Sequence, residues 1–270
     1  MLSASASAAL AGSFAEATRK STSWKAVTAL GGFAMTAVTA LTAQNTQGVH
    51  GIFRVETSFI AQQMRVVLDD LGADCLKTGM LQSVDVIETV AETLSDIGGN
   101  IPLVADPVMV AKGGARLLDE GAHGALVSLL IPRAGVLTPN APEAAALTGL
   151  TVDDEDGQRR AGERLLELGA AAALVKGGHI EGPDVVDFLV TPTETIRFAD
   201  PRIDTRHTHG TGCTLASAMA AGLAQGMKLS DAVARARKYV RQAIAAAPGY
   251  GHGHGPLDHG VTFDPGRLDN

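Results

Sequence analysis

Six residues near the carboxyl end of the chain, His209-Gly-Thr-Gly-Cys-Thr214, have the make-up of a site for a moving anion. Glycines at 210 and 212 let the backbone bend and approach a ligand closely. The stretch that follows, LASAMAAGLAQG, reads as a helix of small residues. Its first turn offers unpaired N–H groups and the positive end of the helix dipole. That combination binds phosphate. Phosphoryl transfer asks for positioning and charge stabilisation more than covalent chemistry, so Gly210, Thr211 and Gly212 are the candidate anion hole. Cys213 stands at the helix start, where the dipole is expected to lower a thiol pKa. It is the candidate base for an attacking hydroxyl. The same residues also read as a glycine turn into a buried helix, with Cys213 as a packed small residue.

Other polar residues fit the nucleotide and substrate ends of such a site. Asn140 and Glu143 flank Ala-Pro. Their spacing puts both side chains on one helix face, and their oxygens suit Mg²⁺, held through water. The same pair makes an Asn N-cap with Glu at N3, a capping box. Lys176 precedes two glycines and can neutralise phosphate charge, or can be a solvated turn lysine. Gln44 and Asn45 end an apolar run, where an amide can pair with a heterocycle or simply cap a turn. The tail GHGHGPLDHG (251–260) is rich in histidine. Its glycines would leave metal ligands loosely held, and its spacing matches no structural zinc site, so no metal is expected there.

These residues need a scaffold that gathers them. Residues 34–42, 75–81, 101–110, 135–140 and 171–178 read as buried strands, several ending in polar or glycine clusters. Residues 57–72, with a stripe of Phe59, Ile60, Met64, Val67 and Leu68, and residues 83–97, with Ser83 and Asp85 as start signals, read as amphipathic helices. APEAAALTG is a further helix. DVVDFLV and ETIRFADPRI alternate and read as an antiparallel edge pair. Two long helices, about 211–226 and 229–247, close the chain. Strands alternating with helices imply an α/β fold with a mostly parallel sheet covered on both faces, and ligands then bind beyond the carboxyl ends of the strands. Residues 1–24 form a separate zone with no clear strand; 25–270 reads as one domain.

Composition narrows the partners. The 270 residues are 46% hydrophobic and 19% charged, enough apolar material for a core without staples. A net charge of −7 argues against a nucleic-acid surface. No apolar run reaches membrane-span length, and the start does not read as a secretory signal. The two cysteines sit far apart in different contexts, as in a reducing cytoplasm.

Six ordered stretches carry a resemblance: TAVTALTAQNTQGVHG (36–51), KTGML (77–81), DPVMVAKGG (106–114), LTPNAPEAAALTG (137–149), VKGGH (175–179) and THGTGCTLASA (208–218). From about Trp24 to about His259 the chain resembles the hydroxymethylpyrimidine/phosphomethylpyrimidine kinases of the ribokinase-like superfamily, and GHGHGPLDH looks like that family's ending. The resemblance implies a cytoplasmic homodimer that uses ATP and Mg²⁺. It implies phosphorylation of 4-amino-5-hydroxymethyl-2-methylpyrimidine, then of its monophosphate, towards thiamine diphosphate. Gln44 then reads the pyrimidine edge, Met80 and Val108 line the ring pocket, and Asp106 stands on the same substrate side. Cys213 stands where sugar kinases of the superfamily carry an Asp base. Gly210 and Gly212 form the anion hole, Asn140 and Glu143 match the Mg²⁺-phosphate motif, and Lys176 lies on the nucleotide side.

The chain departs from the family at its start. A family segment similar to IAGSDSSGGAGIQADLK is here LAGSFAEATRKSTSWK (10–25). Gly12, Ser13 and Lys25 survive, the loop glycines do not, and Ser23 stands where the family has a substrate-holding Asp. Two alternatives follow: a pyridoxal or pyridoxine kinase of the same family, and a catalytically impaired pyrimidine-binding pseudokinase.

Overall fold

Alternate residues of the short apolar strands face two different layers, as the two-residue period of a strand requires. The computed structural model describes residues 7–15 (backbone only), 23–110, 114, 117–119 and 121–263. Nine strands make one sheet: β1 (Ser7–Ala15), β2 (Phe33–Gln44), β3 (Val49–Arg54), β4 (Cys75–Thr78), β5 (Leu103–Ala105), β6 (Val136–Leu137), β7 (Ala173–Lys176), β8 (Asp184–Val190) and β9 (Thr195–Pro201). Their order is β3-β2-β1-β4-β5-β6-β7-β8-β9. The run from β2 to β7 is parallel, whereas β3 at one edge and β8 and β9 at the other pair antiparallel.

Eight α-helices among the described residues cover the sheet: α1 (Ser23–Ala29), α2 (Thr57–Asp70), α3 (Val84–Ile97), α4 (Ala122–Ala125), α5 (Ala141–Thr148), α6 (Glu155–Glu167), α7 (Thr211–Ala224) and α8 (Leu229–Ala245). Leu76, Leu103, Ala105, Leu137, Ala173 and Val175 face one layer, where Ile60, Val90, Leu147 and Leu165 of α2, α3, α5 and α6 pack. Cys75, Val104, Val136 and Leu174 face the other, against α1, α7 and α8. Each large aliphatic side chain so buried contributes about 1.5–3 kcal/mol. Helix α7 lies deep in its layer because its residues are small: Thr214 through Gly222 are all buried.

Several sequence expectations change here. Ser7–Ala15 is a strand between β2 and β4, although the residue pattern shows none. Its backbone pairs on both sides, so neighbouring strands define it more than its own propensity does. The Glu16–Lys20 stretch that replaces the family's loop lies outside the described residues. Phe59 is exposed rather than part of the buried stripe of α2. Of 101–110, only Leu103–Ala105 is strand. Helix α6 and edge strand β3 add to the expected elements.

Candidate active site

In chain order the parallel strands run from β1 to β2 on one side and then to β4 on the other, a switch point that opens a crevice at their carboxyl ends. A cleft of about 950 Å³ lies along this rim. Gln44 closes β2, Lys77 and Gly79 close β4, Asp106 follows β5, Asn140 follows β6 and Lys176 ends β7; all six line the cleft. So do Met80, Val108, Glu143, Gly210, Thr211, Gly212 and Cys213. All of these residues therefore line one cavity.

The amides Gln44 and Asn45 part company. The Asn45 carbonyl oxygen accepts from Gln47 N at 2.8 Å and Gly48 N at 3.1 Å, so it caps the turn after β2. Gln44 lines the cleft, as do the apolar Met80 and Val108.

At the centre stands Asp106, 3% exposed. Lys176 Nζ donates to it at 3.0 Å, Lys77 Nζ lies 3.9 Å away, and the Thr138 hydroxyl donates at 3.1 Å. Burial pushes the Asp106 carboxyl up, but Lys176 and Lys77 together outweigh it and hold it below the usual range. Burial likewise pulls Lys176 down, and Asp106 and Glu143 overcome it to hold the ammonium above its ordinary value. Lys77, only 3% exposed, is a site residue that spacing alone did not single out. Its signal was a lysine inside an otherwise apolar strand, which is seldom buried without a partner.

Helix α7 begins on this cluster. Gly210 caps it with φ 78°, a left-handed conformation that glycine adopts at no steric cost. Lys176 Nζ lies against Gly212, so a cation and the helix N-terminus meet at one point. The Cys213 thiol does not behave as its place in the helix suggests. Burial pushes it up, Lys77 and Lys176 pull it down, Asp106 raises it again, and the net direction is upward.

Asn140 and Glu143 make the capping box of α5 in both directions: Glu143 N donates to the Asn140 side chain at 2.9 Å and Asn140 N to the Glu143 carboxylate at 2.8 Å. One Glu143 oxygen is thus spent. Burial raises this carboxyl to about 7, Lys176 opposes that, and Asp106 adds to it. No group of three acidic, His or Cys side chains forms a metal cage among the described residues. The donor set suits a Mg²⁺ that arrives with phosphates and keeps its waters, touching Glu143 and Asn140 through them. A cation there would draw Glu143 back to its ionised form.

The far end of the cleft is pinned by ions that sequence reading missed. The Asp187 carboxylate accepts Gly177 N at 2.9 Å and pairs with Arg237, which also reaches Asp200 at 2.8 Å. Both Asp187 and Arg237 line the cleft. They fix the turn after Lys176; the pairing of β7 with β8 brings Asp187 there, and α8 brings Arg237.

The phosphomethylpyrimidine kinase family model matches residues 22–258. The chain belongs to this family. A hydroxymethylpyrimidine/phosphomethylpyrimidine kinase from Streptomyces coelicolor is 48% identical over 236 residues, 87% of each protein. A thiamine biosynthesis bifunctional protein from Geobacter sulfurreducens is also 48% identical, over 235 residues. That match covers 87% of this chain and 48% of the longer relative. Among solved structures, the ADP complex of Bacillus subtilis pyridoxal kinase superposes with a TM-score of 0.87 at 31% identity, over 95% of this chain and 98% of the other. The fold is ribokinase-like. Gln44, Met80, Lys176 and Cys213 line the cleft, as does Ser23.

Proposed function

We propose that this chain transfers the γ-phosphoryl group of ATP to the hydroxymethyl group of 4-amino-5-hydroxymethyl-2-methylpyrimidine, and then to the resulting monophosphate, in thiamine diphosphate biosynthesis. The observation that carries the reading is that α7 opens onto the same cleft as Gln44, Lys176 and Glu143. In this reading the pyrimidine stacks between Met80 and Val108, Gln44 pairs with its polar edge, and Asp106 bounds the substrate side. Lys176 and the backbone amides of Thr211, Gly212 and Cys213 hold the phosphoryl group in flight. Donors set in place before reaction cost no reorganisation as charge develops.

Cys213 takes the hydroxymethyl proton. Lys77 and Lys176 favour the thiolate that this role requires, against the burial and Asp106 that oppose it. Mg²⁺ bound with the nucleotide would supply charge neutralisation across the phosphate oxygens. Asn140 and Glu143 would hold it through water. A homodimer suits the exposed apolar partners Leu41 and Phe53 on the β2–β3 edge. Free Cys75 and Cys213 suit a reducing cytoplasm. Among the described residues no helix is long and apolar enough to cross a membrane. The net charge of −7 suits small-molecule partners rather than nucleic acid.

The likeness to pyridoxal kinase keeps a second reading in play, in which pyridoxal or pyridoxine is the acceptor. ADP release measured in parallel with the pyrimidine and with pyridoxal separates the two. The expected result is faster turnover on the pyrimidine. Cys213→Ala should lower that turnover at least about 100-fold, the lower end of general-base contributions, while calorimetry still detects pyrimidine binding. Faster turnover on pyridoxal would reassign the substrate, and pyrimidine binding without ADP release would identify a pseudokinase.

A further inference from the structure

After α8 the chain turns back past the cleft, and residues Gly251–His259 join two loops that come from different parts of the sheet. On one side they rest on the turn after β2. His254 N donates to the Thr46 carbonyl at 2.8 Å and Gly253 N to the Thr46 hydroxyl at 3.2 Å. On the other side they pair with the turn before α7. His209 N donates to the Gly255 carbonyl at 3.1 Å, and His209 and Pro256 form a parallel bridge. A methyl group at Gly253 would collide with the Thr46 carbonyl, and one at Gly255 with the His207 ring. The alternating glycines therefore permit close approach rather than flexibility.

The histidines of the tail form no metal cluster among the described residues. The last of them has another partner. His259 is 9% exposed, and its Nε2 lies 3.1 Å from the hydroxyl of Thr214, which is fully buried. The Tyr239 hydroxyl donates to the His259 carbonyl at 3.0 Å, and Asp258 N to the Ala243 carbonyl at 3.0 Å, which fix the strap on α8. Burial, with Lys25 adding to it, lowers the imidazole to about 4, so the ring is neutral near pH 7 and acts as a hydrogen-bond partner. Thr214 follows Cys213 directly, and its N–H closes the first turn of α7 onto the Gly210 carbonyl at 2.8 Å.

We propose that this C-terminal strap is a positioning element for phosphoryl transfer. It fixes the first turn of α7 through the His259–Thr214 contact and ties that turn to the substrate loop through His209 and Thr46. The inference rests on the reading of the α7 N-terminus as the anion hole.

The test measures ATP turnover on the pyrimidine for wild type, His259→Ala, Thr214→Val, the double variant and His259→Gln, with unfolding followed in parallel. In folded His259→Ala and in folded Thr214→Val kcat should fall at least about tenfold, because an ångström of misplacement can cost about a hundredfold. KM for the pyrimidine should stay within about threefold, as for a contact that matters in the transition state alone. Glutamine carries an amide to the place of Nε2, so His259→Gln should restore most of kcat. The double variant should be no slower than the slower single. Unchanged kcat in the folded singles, losses that only track the folded fraction, additive losses, or failure of glutamine to restore the rate would each overturn the proposal. Should His259→Ala not fold, Thr214→Val, which leaves the strap in place, decides alone. A wild type that releases no ADP sinks the anion-hole reading and the strap's role together; an active wild type with unaffected variants sinks the strap's role alone.

Discussion

Glu143 gives a sharp test of the electrostatics of the cleft. Its carboxyl is raised from an ordinary value of 4.5 to about 7, chiefly by burial. On a rising pH scale the unfolded chain therefore ionises first, while the folded chain still holds its proton. Stability is lost across the window from about pH 4.5 to about pH 7 and stays at the lower level above it. At about 1.4 kcal/mol per unit, the gap amounts to roughly 3 kcal/mol. Glu143→Gln removes the titration and keeps an acceptor for Asn140 N, since glutamine also serves at N3 of a capping box. The variant should match wild type below about pH 4 and exceed it by roughly 3 kcal/mol at pH 8, as read from urea unfolding at a series of pH values. A difference that does not change with pH, or a variant less stable at pH 8, would refute the reasoning. Mg²⁺-nucleotide should also release a proton from wild type at pH 7, but not from Glu143→Gln. Calorimetry in buffers of different ionisation enthalpy reads this directly.

Three further outcomes follow from the same cluster and from the sheet edge. Asp106→Asn takes the paired carboxylate from Lys77, leaves Lys176 facing Glu143, and should cost about 3–5 kcal/mol in urea unfolding; a loss under about 1 kcal/mol would contradict the buried pairing. Lys77→Met removes a charge that lowers the Cys213 thiol, so the pH midpoint of Cys213 alkylation should move upward. Cys75 will not confuse the reading, being fully buried with a thiol pushed up to about 12; an unmoved midpoint would remove Lys77 from the site. Phe53→Glu places a charge on an exposed apolar edge residue and should shift the protein towards monomer in light scattering, whereas an unchanged mass would exclude the β2–β3 edge as the dimer surface.

Much of this architecture is readable from local pattern. The strands that reach the cleft, β2, β4, β6 and β7, are mostly apolar and end at or shortly before Gln44, Gly79, Asn140 and Lys176, and the parallel-sheet rule gathers such ends on one rim. The α5 capping box is written in the spacing of Asn140 and Glu143. What local pattern misses depends on distant neighbours. β1 is paired on both sides, yet its residues carry little strand signal of their own. Asp187 and Arg237 sit 50 residues apart and meet only in the folded layer. The Cys213 thiol rises because burial and Asp106 outweigh two lysines, a balance no spacing reveals. The glycines of the tail look like slack until Thr46 and His207 are seen against them.

The most direct measurement of the central claim is the mass of the pyrimidine after incubation with the purified protein, Mg²⁺ and ATP. The account expects the pyrimidine to gain one phosphoryl group and then a second, with ADP released in step. Folded protein that binds the pyrimidine and leaves its mass unchanged would contradict it.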